Sequence, residues 1–455
     1  MSMGEFAGRL AELRRLRGLT QERLADVSGL SVRCIRELER GRGRAPRPRT
    51  AALLADALLL AGADRSRFLA LATRSPADAE PAPPGELPPA INDLTGRDGE
   101  LARLASLASP GIAFRRPGPA IVVLHGLAGI GKTSLAVSAG HRVRSGFPDG
   151  QLFADLLGGT AKPLDPAVAL GRFLRSLGLP DEQVPPTRAA RIALYRTLTH
   201  DRRLIVVLDD AADECQVRPL LPAGAGSFVL VTSRRPLTGL EAVERLALGV
   251  LTHPAGRALL RTIIGPRAIA EADATAELAG LCGHLPLALR IAGNRLACRP
   301  SWSVARAVGQ LRPEGTRLST LTAGDQGVRA ALAVPYGQLT PAAALVFRRC
   351  ALLAPADFGA GLVAVTADLP ETCTAAALEE LVDFGLLGTA GERYRFHPLV
   401  RLFALDQLRG EPGRAVVDAR ARMVGWVLQH TVAPVTGRSG YAGHVPGPGL
   451  DPMVS

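Results

Sequence analysis

AIVVLHGLAGIGKTSLAVSAGHRV, residues 120–143, is the stretch on which the reading of this chain turns. It opens with a short apolar run, AIVVLH, of the kind that a parallel strand buried on both faces requires. GLAGIGKT at 126–133 follows and matches G-x-x-x-x-G-K-[ST]. Gly126, Gly129 and Gly131 let successive backbone N–H groups converge on phosphate oxygens, because no Cβ obstructs the turn. The phosphate-facing segment runs from Gly126 through Ala128, Gly129, Ile130 and Gly131 to Ser134. Lys132 is placed to reach the β- and γ-phosphates and the Thr133 hydroxyl to ligate Mg²⁺. TSLAVSAGHRV then reads as a helix whose N-terminus favours anions. Strand, loop and helix together predict a site for ATP or ADP with Mg²⁺.

Outward from this loop, GQLFADL, RLIVVLDD and SFVLVTS alternate with helical patterns between about 92 and 240. That alternation predicts a parallel sheet with helices on its faces. RLIVVLDD ends on Asp209, where a Walker-B carboxylate would hold Mg²⁺ through water. Asp210 beside it is the candidate catalytic residue, able to orient or activate an attacking water. A guanine site would carry N-K-x-D, yet the only lysine besides Lys132 is Lys162, in AKPLD. Adenine is therefore expected. Only two of the 54 basic residues are lysine, which singles out Lys132 as a position where arginine would not serve.

The first 75 residues differ in texture. Fifteen arginines and eight acidic residues give them +7 of the chain's +12. Such a basic module points to an acidic partner, nucleic acid first. Phe6, Leu10 and Leu13 mark the inner face of one helix ending at Gly18. Thr20 caps a second helix, Gly29 makes a turn, and Ser31 caps a third, whose Ile35 and Leu38 face inward. Arg33, Arg36 and Arg40 lie exposed on that third helix, the helix-turn-helix pattern. Arg42, Arg44, Arg47 and Arg49 follow at once, where contacts to a DNA backbone would fall.

Length and composition bound the remainder. At 455 residues the chain exceeds one hydrophobic core, so about two to four domains are expected. No apolar run approaches the ~18 residues needed to cross a bilayer. Glu5 and Glu12 break up the N-terminus, which has no signal-like segment; a cytoplasmic protein without membrane contact is expected. The six cysteines are scattered without a C-x-x-C pair, arguing against a disulfide framework or a zinc site and for small buried residues. Residues 75–91 hold six prolines and predict an extended linker, and 431–455 hold nine Gly or Pro and predict a disordered tail. No internal repeat is present.

These motifs carry two resemblances. LTQERLADVSGLSVRCIRELERG with RPRT and LADAL resembles the Xre/Cro-like DNA-binding domain. By that likeness Gln21 would touch the backbone of double-stranded DNA, while Val32, Arg33 and Glu37 would face bases. Ser31 and Arg36 complete the same face. Residues 92–410 resemble the NB-ARC class of signal-transduction ATPases. NDLTGRDGELARL looks like the segment that closes over adenine, which implies Arg97 near the nucleotide. VLVTSRR implies Arg234 as the γ-phosphate sensor, and CGHLPLAL implies Pro286 against the base or ribose. YRFHPLVRLFA is similar to the winged-helix signature of the class and implies His397 on the ADP phosphate. Phe396 and Pro398 stand where the family has Met and Asp.

The fold class expected is multidomain. An all-α helix-turn-helix occupies 1–74 and a Pro-rich linker 75–91. An α/β phosphate-loop domain spans 92–240, a helical domain 241–335 and a winged helix 336–410, with one helix and a tail over 411–455. The resemblance implies a DNA-binding transcription regulator switched between ADP and ATP, self-associating in the ATP state, and at most a slow regulatory ATPase. Relatives usually continue into helical repeats of ~34 residues, so a built-in sensor is expected to be absent or supplied by a partner in trans. Two alternatives stay open: a DNA-stimulated remodelling ATPase, and a signalling scaffold whose N-terminal helices bind protein.

Overall fold

The computed structural model describes residues 2–41, 46, 48–73, 82–109, 118–324, 326–353 and 357–431. Arg42, Arg44, Arg47 and the tail 432–455 lie outside the described residues, as does the side chain of Arg49. The chain divides into two compact units. The first runs to Pro84 and includes Phe173–Val184; the second is the rest.

Five helices build the first unit: α1 (Ser2–Leu16), α2 (Gln21–Ser28), α3 (Val32–Glu39), α4 (Pro48–Ala57) and α5 (Gly62–Thr73). Thr20 and Ser31 take extended backbone, and their side-chain oxygens accept from the N–H groups of Arg23 and Cys34. These are the two predicted caps. Gly29 ends α2 in the left-handed region at φ 69°, which lets the chain turn sharply into α3. Phe6, Leu10, Leu13, Leu24, Ile35, Leu38, Leu54 and Phe68 share one core. Beneath α3, the guanidinium of Arg14 meets the Glu39 carboxylate through Nε at 2.6 Å and Nη2 at 3.0 Å. Burial acts against the Glu39 charge, but the bonds from Arg14 and Gln21 outweigh it and hold the carboxyl below its usual range.

The second unit is organised by a parallel sheet in the order β2-β3-β4-β1-β5. Its strands are β1 (Ala120–His125), β2 (Gln151–Asp155), β3 (Ile205–Ala211), β4 (Phe228–Ser233) and β5 (Val243–Ala247). Four of them fall on the predicted apolar runs. β5 corrects the expected boundary at 240. It pairs with β1 from Ile121↔Val243 to His125↔Ala247, so the sheet continues past that point. Its sequence, VERLA, is half-exposed at the sheet edge and lacks the continuous apolar run of a central strand.

The expected linker is also shorter than its proline content suggested. Gly85 bridges Gln151 at the other edge of the sheet, and the Phe153 N–H donates to the Glu86 carboxylate at 3.1 Å. Leu87 packs close to Gly140, and the Pro88 carbonyl meets His141 Nε2 at 2.8 Å. Prolines suit an edge that must not extend the ladder.

Beyond β5 come the helices His253–Ile264, Pro266–Ala270, Ala272–Leu281, Pro286–Ala297, Val304–Leu311 and Glu314–Thr320, then a hairpin of β6 (Thr322–Ala323) and β7 (Gln326–Gly327). Helices Val328–Gly337, Pro341–Cys350, Ala360–Ala367 and Glu371–Asp383 follow, with a second hairpin of β8 (Gly388–Ala390) and β9 (Arg393–Arg395). Phe358 bridges Tyr394 and adds a third strand position to that hairpin. Helices Pro398–Leu408 and Gly413–Thr431 close the described chain. The cysteines depart from expectation: Cys282 and Cys350 are buried, but Cys215, Cys298 and Cys373 are exposed. No helix among the described residues is long and apolar enough to cross a membrane.

Candidate functional site

The loop between β1 and the helix Lys132–Val143 has the backbone that its glycines permit. Gly126, Gly129 and Gly131 take φ of 136°, 77° and 93°, conformations in which a side chain would be strained. At Gly129 a Cβ would also stand 2.8 Å from Leu287, and the Leu287 N–H donates to the Gly129 carbonyl at 3.1 Å. The Lys132 ammonium is folded back on its own loop, donating to the carbonyls of Gly126 at 2.9 Å and Leu127 at 3.1 Å. Burial, then the neighbouring Arg234, pulls its pKa down to about 8 against the opposing pull of Asp210 and Asp209.

β3 ends in a shift of register between Leu208 and Ala211, with Asp210 in the left-handed region at φ 48°. A non-glycine residue there is unusual and costs conformational energy. The irregularity turns both carboxylates toward neighbours at the C-terminal edge of the sheet. Asp209 Oδ1 accepts from Thr133 Oγ1 at 2.7 Å and from Thr232 Oγ1 at 2.6 Å. Burial raises the Asp209 pKa, the charges of Asp155 and Asp210 add to this, and the two hydroxyl bonds act in opposition. A divalent cation would relieve that cost. The Asp210 carboxylate accepts from the Gly159 N–H at 2.7 Å and pairs with Arg234 at 3.3 Å. Arg234 Nη1 is buried with no hydrogen-bond partner among the described residues.

These groups line a cavity of ≈ 490 Å³, within the range of small-molecule sites. Ala128, Gly129, Gly131, Lys132, Thr133 and Ser134 form its floor; Asp210, Thr232 and Arg234 form one wall, and Pro286, Leu287 and Arg290 another. Gln326, Ala331 and Val334 complete the lining. A narrower crevice shares Ile91, Pro286 and Arg290 with it and is walled by Leu94, Ile130, Leu251 and Leu259. Arg97 belongs to that crevice, but its guanidinium is held by Glu100 and by the carbonyls of Ile130 and Gly249.

His397 sits elsewhere. It is not among the cavity residues, and both ring nitrogens are engaged inside the protein. Nε2 meets the Gly283 carbonyl at 2.8 Å, while Nδ1 accepts from the Leu399 N–H and caps the helix that follows. The ring is therefore neutral with its proton on Nε2, and burial lowers its pKa. Gly283 is compatible with this contact only as glycine, since a Cβ would stand 2.5 Å from the imidazole. His397 is thereby tied to the loop before Pro286. Phe396, where the family has Met, packs edge-on against Phe347, and Pro398 is the first residue of the helix Pro398–Leu408.

Contacts that the motifs did not disclose join the C-terminal helices to the phosphate loop. Gly385 lies so close that a Cβ would stand 2.9 Å from the Leu127 nitrogen. Gln338 Nε2 donates to the Gly158 carbonyl at 2.9 Å, and Arg235 stands over the Phe384 ring at 5.4 Å. Arg290, which lines both cavities, is paired with Asp93 through two bonds of 2.7 and 2.8 Å. The Thr232 hydroxyl, which no motif singles out, also accepts the Asp210 N–H at 2.9 Å.

On the first unit, Arg33, Arg36 and Glu37 are exposed along α3, whereas Val32 is drawn partly into the core. Arg33 Nε donates to Glu37 at 3.0 Å. Arg36 donates to Gln21 at 3.3 Å and to Glu22 at 2.9 Å, and Gln21 donates in turn to Glu39 at 2.7 Å. Ser31 is exposed at the start of α3.

Comparison with known proteins finds the following likenesses. Residues 10–60 match the helix-turn-helix family model. The chain is 44% identical to the regulatory protein AfsR of Streptomyces coelicolor over 344 residues, 74% of this chain and 34% of that protein. It is 40% identical to AfsR of Streptomyces griseus over 337 residues, 72% of this chain and 34% of that protein. The chain thus spans about a third of the length of the curated relatives it matches. Among solved structures, a signal-transduction ATPase with a tetratricopeptide repeat sensor from Pyrococcus horikoshii aligns at 20% identity and a TM-score of 0.34, over 77% of this chain and 47% of that one. Residues 10–60 of this chain thus match a helix-turn-helix family model, and the same polypeptide carries a parallel sheet with a phosphate-loop motif.

Proposed function

We propose that this chain is a DNA-binding transcription regulator of the NB-ARC type, switched by exchange of ADP for ATP. One observation carries the reading: a helix-turn-helix domain shares its polypeptide with a phosphate cradle whose charged groups are held inside the fold. The residues fit an adenine nucleotide with Mg²⁺. The positive-φ glycines leave open the space that side chains would fill, Arg234 keeps a buried unpartnered Nη1, and Asp209 with Thr133 offers hard oxygen donors. Lys132, Arg234 and the backbone N–H groups of 128–134 would hold the phosphates. Thr133 and Asp209 would hold Mg²⁺, whose chemistry is to neutralise phosphate charge. The crevice beside Ile91, Leu94 and Pro286 would take the base.

Arg234 is the sensing residue on this reading. Its guanidinium now rests on Asp210, and a terminal phosphate would compete for it. The Asp210 carboxylate is already engaged by Gly159 and Arg234, which favours slow hydrolysis over efficient turnover. Gly385, Gln338 and His397 hold the C-terminal helices, read as a winged helix, against the nucleotide-binding body in a closed form. Opening would free them for self-association and set the spacing of DNA-binding domains on half-sites. A sensor partner would supply the input, and the cytoplasm is where such a regulator meets its DNA.

The test is a promoter-binding profile of the wild type beside Lys132→Ala, each in ADP and in ATP. Distinct profiles for the wild type in the two nucleotides, collapsed to one in the variant, are expected. Profiles that coincide throughout sink the coupling. Strong stimulation of hydrolysis by nonspecific DNA would favour a remodelling ATPase instead, and absence of salt-dependent DNA binding would favour a protein-binding scaffold.

A further inference from the structure

Charge in the second unit is concentrated in one place. Residues 251–320 hold nine arginines and four carboxylates, while the rest of 76–455 balances at thirty basic and thirty acidic residues. Several of the nine have internal partners. Arg290 pairs with Asp93, Arg312 with Glu277, and buried Arg317 donates to the carbonyls of Leu311 and Arg312. Arg267 clamps the turn after the helix Pro286–Ala297, donating to the carbonyls of Leu296, Arg299, Pro300 and Trp302.

Arg295, Arg299 and Arg306 converge on one indole, Arg295 also donating to the Thr320 carbonyl and Arg299 to the Arg295 carbonyl, each at 3.2 Å. Their guanidinium carbons lie 5.8, 4.8 and 4.5 Å from the centre of the Trp302 ring. Among the described residues none of the three is in an ion pair with a carboxylate; Glu277 and Glu314 pair with Arg312 and Arg401. The nearby Glu271 accepts from the N–H groups of Val304 and Ala305. The ring attracts each cation, but three like charges around one ring repel each other. Arg299 and Arg306 are exposed and Trp302 is half-buried, so the cluster is held in place yet open to solvent. A repeating anion would relieve the repulsion, and planar guanidinium forks suit phosphate oxygens.

We propose that the Trp302–arginine cluster is a second DNA-contacting surface, gripping phosphates of the duplex apart from the α3 face. This rests on the reading of the chain as a DNA-binding regulator. The excess of nine arginines over four carboxylates across 251–320 favours a polyanion such as a phosphodiester backbone over a single small anion, and an acidic protein segment is the competing occupant that the test separates.

The experiment measures the affinity of the full chain for a long mixed-sequence duplex across a salt series. Wild type is compared with Arg295→Gln/Arg299→Gln/Arg306→Gln, the matching triple lysine variant, and Arg33→Gln/Arg36→Gln in α3. Loss of three phosphate contacts should lower the slope of log affinity against log salt by about 3 in the glutamine triple. The lysine triple should keep it, since phosphate contacts need charge rather than the exact side chain. A glutamine triple with the wild-type slope, beside an α3 variant whose slope falls, overturns this proposal and leaves the helix-turn-helix reading standing. No salt-dependent binding by the wild type overturns both.

Discussion

The α3 face and the phosphate cradle hold their charges in opposite ways. On α3 the side chains of Arg33 and Glu37 are 88% and 57% exposed, and they pair with each other in water. In the cradle, Lys132, Asp209 and Arg234 are enclosed, Lys132 fixed by its own loop and Asp209 and Arg234 by groups that other segments bring in. A unit-charge pair at 4 Å is worth about 1 kcal/mol in water and several-fold more in the interior. The exposed face is therefore a set of weak, nearly independent contributors, suited to summing over many phosphates. The cradle is one coupled unit, in which removing a member unbalances the others.

The largest expected effect challenges that contrast from within the first unit. Arg14 and Glu39 form a pair with side chains 13% and 8% exposed, unlike their neighbours on α3. Arg14→Ala should cost about 3 kcal/mol of stability, the usual result of stranding a buried charge. Denaturant unfolding of the first unit's helices reads it, and a loss comparable to that of an exposed pair would erase the distinction between buried and exposed charge there.

Next comes the cradle itself. Lys132→Ala should weaken ATP binding about a hundredfold, as expected for a charge-assisted contact in an enclosed site. Titration calorimetry measures it, and a loss below tenfold would mean that the cradle acts as separate parts. The same lysine predicts a pH dependence. Its pKa near 8 in the free protein leaves it charged below that value and increasingly neutral above it. A neutral amine does not attract phosphate, so affinity should fall as pH rises past 8, by up to about tenfold per pH unit. A flat profile from pH 7 to 9.5 would mean that the amine keeps its proton across that range, against the lowering that its burial predicts.

The smallest effect belongs to α3. Arg33→Gln should change stability by less than about 0.5 kcal/mol, because an exposed i,i+4 pair contributes little. Thermal unfolding checks it, and a larger loss would show that the face is structural. Its effect should appear instead in DNA affinity, where the arginine meets a phosphate or a base edge.

Much of this was legible before the structure, and the reason is locality. Thr20 and Ser31 cap the helices that start one residue later, and Phe6, Leu10 and Leu13 face one core, because capping and amphipathicity act over a few residues. Strands β1 to β4 were readable as continuous apolar runs. β5 was not, because an edge strand with Glu244 and Arg245 has no such run. Residues 85–91 read as a linker because proline content does not reveal an edge against which the chain can lie. The contacts of the His397 ring with Gly283 and Leu399 were not legible either, because Gly283 lies more than a hundred residues away in the chain.

By itself, the sequence determined that a phosphate loop sits between a buried strand and a helix, and that a basic helix-turn-helix precedes it. Those features reside in contiguous residues whose glycine torsions, caps and periodicity are set by covalent geometry. Only the tertiary structure decided what surrounds the loop. Thr232 orders the two aspartates, Arg290 stands with Asp93 at the crevice, and Gly385 approaches the backbone of Leu127. These contacts join segments far apart in the chain, and close packing rather than local preference selects them. The same holds for the three arginines around Trp302, whose convergence depends on how the helices Pro286–Ala297 and Val304–Leu311 meet.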